Sequence, residues 1–119
     1  MAVDTGCALV NVSGAGKELA AEVRGQQERK KKTLLDTPDL QMFLLYVRGG
    51  GYVPAHQVHG PITVQTLIGK IRMKAEGTEH QMPVGTVLVL GGNIPHDVFG
   101  EDESVVLVTM AKKPQHQDI

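Results

Sequence analysis

From Thr33 onward, apolar and polar residues alternate with period two along most of the chain, the spacing of strands with one face in a core. Residues 41–48 depart from simple alternation. Phe43, Leu45 and Val47 fall on one face, and Met42, Leu44 and Tyr46 on the other. Two apolar faces mean a strand covered on both sides, as in a barrel wall that also packs against something else. Further strand patterns occupy residues 62–68, 70–74, 78–82, 86–90 and 105–110. The first two are expected to pair as a hairpin about Gly69. Asp36, Pro38, the triple glycine 49–51, Ala75-Glu76-Gly77 and Pro83 to Gly85 mark the other turns. Short strands at this spacing predict an antiparallel sandwich or barrel.

Before Thr33 the pattern is different. Residues 7–12 read as a short strand and 13–16 as a turn. Residues 17–24 read as one or two helical turns, with Leu19 and Val23 four apart and Gly25 as a stop. The polar stretch 25–32, with Arg29-Lys30-Lys31-Lys32, is a solvated connector or an exposed edge. The organisation expected is therefore an N-terminal arm (1–32), one barrel domain (33–112) and a loose C-terminal tail (113–119).

Composition narrows the function classes. With 119 residues there is room for one core. A net charge of −1 gives no general attraction to nucleic acid or to an anionic membrane, so neither is expected as a partner. The basic run 29–32 has no interleaved aromatic residues and reads as a solvated edge. A single cysteine, Cys7, excludes an internal disulfide and fits a reducing compartment. No signal-like or membrane-spanning apolar run is visible, so a cytoplasmic location is expected. No phosphate loop and no Gly-x-Ser-x-Gly elbow occurs.

Two half-motifs carry the candidate chemistry. The first runs Gly51-Tyr52-Val53-Pro54-Ala55-His56-Gln57-Val58-His59 and closes at Gly69. The second runs from Gly85 through Thr86-Val87-Leu88-Val89-Leu90 to Gly91-Gly92-Asn93-Ile94-Pro95-His96. Each places a histidine beside a turn in a strand-rich chain, and two such histidines can hold a metal or activate a small molecule inside a barrel. This layout resembles the cupin family over roughly residues 33–110. The family's first motif reads G-x5-H-x-H-x3,4-E-x6-G. Counted back from Gly69, its glutamate position falls on Ile62, its histidine positions on His56 and Val58, and its leading glycine on Gly50. The second motif reads G-x5-P-x-G-x2-H-x3-N. Gly85 and His96 match it, while Gly91, Asn93 and Gly100 stand at its proline, glycine and asparagine positions. The stretch 60–69, with its Gly-Pro turn and Gln65, also resembles a sub-group of small stand-alone bacterial cupins.

The resemblance implies an all-β fold, a cupin-type antiparallel jelly-roll barrel with a short N-terminal helical segment. It also implies His56 and His96 as metal ligands converging on one interior point, or as hydrogen-bonded residues at a barrel mouth with no metal. His59 is a further candidate ligand only if the chain leaves strand geometry at Gly60-Pro61, since positions three apart face opposite ways. Gln65 needs a shifted register to turn inward. His80 and His116 are expected in solvent. Between Gly51 and Ala75 there is no Asp or Glu. An Fe(II) site of two histidines and a carboxylate is therefore not supplied at the family position. A neutral nitrogen site remains, for Zn, Ni, Cu or Fe, or for no metal at all. Three functions follow: a barrel binding a divalent metal or small ligand; a metal-dependent dioxygenase, isomerase or lyase; or a non-catalytic sensor or scaffold. The second apolar face of 41–48 must meet a partner chain or the N-terminal segment, and a homodimer is expected from the resemblance.

Overall fold

The computed structural model describes residues 6–112; the tail 113–119, with His116, lies outside them. Among the described residues there is one helix, α1 (Val12–Val23). Nine strands follow: β1 (Arg29–Asp36), β2 (Leu40–Val47), β3 (Tyr52–His56), β4 (Ile62–Ile68), β5 (Lys70–Ala75), β6 (Thr78–Pro83), β7 (Val87–Leu90), β8 (His96–Gly100) and β9 (Ser104–Ala111). They form a five-stranded sheet ordered β1-β2-β9-β4-β7 and a four-stranded sheet ordered β3-β8-β5-β6. All strand pairs are antiparallel, and the two sheets close over one apolar interior as a jelly roll.

The two-faced strand is explained within the chain. Phe43, Leu45 and Val47 of β2 join the core between the sheets. Met42, Leu44 and Tyr46 join a second core, where α1 lies on the outer face of the larger sheet. Leu19 and Val23 of the helix meet Leu44, Tyr46 and Val105 there, so the N-terminal segment supplies the cover that β2 requires. The tyrosine also fastens the helix end. Its phenol accepts a hydrogen bond from Gly25 N–H at 2.8 Å and donates to the Glu103 carboxylate. Burial, and then the bond to Glu103, holds that phenol above its ordinary pKa.

Three local expectations are corrected and one is decided. Residues 7–11 form no strand, and 13–16 are helix rather than turn. Asn11 caps the helix, its side-chain oxygen accepting from Gly14 N–H at 3.0 Å, so α1 starts five residues earlier than Lys17. Of the two readings of Arg29–Lys32, connector or exposed edge, the edge holds: the run is the first half of edge strand β1. Lysines on an edge discourage pairing with another chain, and Lys31 lies over the Phe43 ring at 4.4 Å. Residues 62–68 and 70–74 do not form a hairpin, because β4 and β5 belong to different sheets. Gly69, at φ +80°, passes the chain from one sheet to the other beneath the 101–104 turn; a Cβ there would stand 2.2 Å from the Glu103 carbonyl oxygen. The hairpin at Glu76-Gly77 is as expected, both residues having positive φ.

Candidate functional site

Strand β3 is an edge strand containing Pro54, which has no N–H to give to a ladder. Its pairing with β8 slips there: Val53 stands opposite Val98 and His56 opposite His96, so Pro54 and Ala55 on one strand face Asp97 alone on the other. That bulge is what turns the His56 side chain to the interior face, which a regular strand carrying Val53 inward would not do. The neighbouring loops are clamped as well. Asn93 N–H donates to Val58 O at 2.6 Å, and a Cβ on Gly92 would fall 2.0 Å from the His59 carbonyl oxygen.

The result is a histidine pair at one end of the barrel. The two ring centroids are 4.2 Å apart, with planes inclined by 60°. His56 Nδ1 lies 2.9 Å from Pro54 O, and His96 Nδ1 lies 2.8 Å from Ile94 O. A carbonyl oxygen can only accept, so each Nδ1 carries the proton and each neutral ring leaves Nε2 with a free lone pair. His56 is exposed at the mouth, whereas His96 is only 4% accessible. Burial is the main influence on His96 and lowers its pKa below the usual 6.5. The bond to Ile94 O opposes this, and the nearby His56 reinforces it.

Both rings line a cavity of about 60 Å³ whose other walls are apolar: Phe43, Leu45, Val58, Ile62, Val64, Met73, Val98, Val106, Val108 and Met110. His96 also borders an open surface groove with Ala55, Lys74, Pro95 and Asp97, so it stands between the interior and the solvent. The cavity volume is far below the roughly 300–1,000 Å³ of pockets for drug-sized molecules. It suits an ion or a ligand of a few atoms.

The other candidates do not join the pair. His59 is exposed in the loop after β3 and does not line the cavity. Gln65 alternates with buried Val64 and Thr66 and so projects from the outer face of β4; no register shift occurs there. His80 is half-buried, opposite Met73 on the inner face of β6, rather than in solvent, yet it is not part of the cavity wall. Val58 and Ile62, at the motif positions of the second histidine and the glutamate, do line the cavity. The register of the motif is thus retained while two of its donors are replaced by hydrocarbon.

That replacement decides the fit of the divalent metal implied by the motif. Zinc sites take three or four protein ligands, and Fe(II) oxygenase sites take two histidines with a carboxylate. Among the described residues no three His, Cys, Asp or Glu side chains cluster to hold a metal. The nearest acid in sequence, Asp97, faces the other side of β8. Its two oxygens accept from Tyr52 Oη–H at 3.0 Å and Lys74 N–H at 3.1 Å. The residues present do not fit such a centre. Sequence reasoning missed Met73 and Met110, two thioethers in the same wall, since methionine in an alternating strand reads only as core filling.

No protein-family model and no curated protein matches the chain. Solved structures do. An RmlC-like cupin from Desulfovibrio desulfuricans superposes with a TM-score of 0.67 at 23% identity, covering 73% of this chain and 85% of that one. A cupin 2 conserved barrel domain protein from Leptotrichia buccalis gives 0.68 at 30% identity over 77% of this chain, which spans 46% of that protein. The DMSP lyase DddQ from Ruegeria pomeroyi gives 0.68 at 18% identity, over 77% of this chain and 51% of the lyase. With its two-sheet jelly roll, the chain has the fold of the cupins.

Proposed function

We infer that this cupin binds one very small ligand inside its barrel, held through the Nε2 atoms of His56 and His96. The carrying observation is the locked pair: two rings 4.2 Å apart, each with Nδ1 tied to a backbone carbonyl, at a cavity of about 60 Å³. The two backbone bonds satisfy the ring N–H groups and fix the tautomers. This orients two acceptor nitrogens toward whatever enters. The apolar walls lower the local dielectric, which strengthens any hydrogen bond or coordinate bond formed there. His56, exposed at the mouth, is the first group a ligand meets, and buried His96 is the second.

An enzymatic role is the second reading, supported by a DMSP lyase among the proteins of like fold. At 18% identity that likeness carries the fold and no chemistry. Nothing lining the cavity besides the two imidazoles can move a proton. Native mass spectrometry on untagged protein, purified without chelators, tests the binding reading. The expected result is a stoichiometric added mass that is lost in both His56→Ala and His96→Ala. Retention of that mass in the double variant would remove the histidine pair as the site.

A further inference from the structure

Four of the side chains lining the cavity bear donor atoms, of two kinds, and none is an acid. His56 and His96 offer imidazole nitrogens, and Met73 and Met110 offer thioether sulfurs from the same wall. Met73 is fully buried on β5, two residues from Ala75, which stands opposite His96. It is therefore the diagonal neighbour of that histidine on the inner face, within reach of a long side chain. Met110 comes from β9 in the opposite sheet, beside Ile62, and packs against the same core. The barrel thus brings donors to one void from both sheets.

We propose that this void is a copper(I) site, with His56 and His96 as nitrogen ligands and Met73 and Met110 as sulfur ligands. The inference rests on the histidine pair being the binding site. Thioethers are soft ligands that select Cu(I), and imidazole binds copper in either oxidation state. Charge points the same way. No acid lines the cavity, so an ion enters without compensation. The cost of desolvating an ion grows with the square of its charge, roughly fourfold from a monovalent to a divalent ion of equal size. The missing carboxylate that disfavours iron and zinc is thereby consistent with a monovalent soft cation. The volume of about 60 Å³ accommodates an ion and leaves no room for an organic substrate.

The test is anaerobic titration of the untagged chain with Cu(I) against a chromophoric Cu(I) chelator, with Zn(II) titrated in parallel. X-ray absorption is recorded on the copper-loaded wild type. One Cu(I) per chain, tighter binding than Zn(II) and a sulfur shell beside nitrogen are expected. Met73→Leu and Met110→Leu keep the volume, and each should weaken Cu(I) by about tenfold or more while leaving Zn(II) unchanged. Nitrogen-only scattering, or equal Cu(I) affinity in the Met73→Leu, Met110→Leu double variant, would overturn the thioether site and leave the histidine pair standing. Cu(I) affinity unchanged in the His56→Ala, His96→Ala double variant would overturn both.

Discussion

The two faces of strand β2 make the most instructive comparison in the molecule. Outward, Leu44 and Tyr46 meet Leu19 and Val23 of the helix, and the contact is filled with side chains that are almost wholly inaccessible. Inward, Phe43 and Leu45 face a void that ends at two histidines. Both faces are apolar and come from the same eight residues. The outer face of β2 is a device for stability, since Leu44 and Tyr46 are fully buried beneath the helix. The inner face gives up some packing at one end, where polar nitrogens are held in a fixed orientation. A void of this kind forgoes dispersion contacts, so its retention beside two locked imidazoles points to use.

If the division is real, the largest effect comes from breaking the outer core. Leu19→Ala removes a side chain that is 1% accessible and should cost about 2–5 kcal/mol in urea unfolding. Ligand or metal stoichiometry of the remaining folded protein should not change. A variant that lost binding in proportion to stability would show that the two faces are not independent.

The next effect sharpens the inner face. Val58→His with Ile62→Glu places donors at the two cavity positions that lack them. The buried glutamate should lower stability in the absence of metal, because Ile62 is only 3% accessible. Zn(II) should then restore it, by about 2.7 kcal/mol at a hundredfold excess over the dissociation constant. Thermal unfolding with and without Zn(II) checks this. A double variant indifferent to zinc would mean that Val58 and Ile62 do not aim at the histidines.

Tyr46→Phe probes the seam between helix and barrel with a smaller change. It deletes one hydroxyl that accepts from Gly25 and donates to Glu103. The loss should be about 0.5–1.5 kcal/mol, with faster hydrogen exchange at Gly25 and little change in the barrel strands.

Much of this was legible in the sequence, for reasons that can be separated. Period-two alternation identified β2, β4, β5 and β9 and the double-faced character of β2, because burial follows the pleat. Alternation says nothing about which strands pair, so β4 and β5 read as a hairpin although Gly69 sends them into different sheets. The helix starts earlier than its apolar spacing predicts, because Ser13 and Gly14 have turn character and only the Asn11 cap marks the start. His56 and His96 were found through their motif spacing. His59 and Gln65 were admitted on the supposition of a break at Gly60-Pro61. The chain does leave strand geometry over 57–61, yet His59 stays exposed there; the bulge at Pro54-Ala55 is what turns His56 inward. Pro54 was the available signal, since a proline inside a strand marks an edge or a bulge. The homodimer expectation began from the second apolar face of β2, and α1 covers that face within one chain.

The smallest effect concerns the proton on His96, and it separates a buried ring from an exposed one in the same pair. Burial lowers the His96 pKa from 6.5, so its NMR titration midpoint should lie below that value. In the unfolded chain the same imidazole titrates near about 6.5. Between the two midpoints the unfolded state therefore holds more protons than the folded state. Unfolding free energy should fall as pH drops from about 6.5 toward the folded midpoint, and this contribution should level off below it. Above about 6.5 the contribution is complete, because both states are neutral. His96→Gln should flatten the slope in that window. A His96 midpoint at or above 6.5 would mean that the ring is hydrated or paired with a carboxylate. The contrast between the packed outer face and the apolar inner cavity would then fail at the residue on which the binding reading depends.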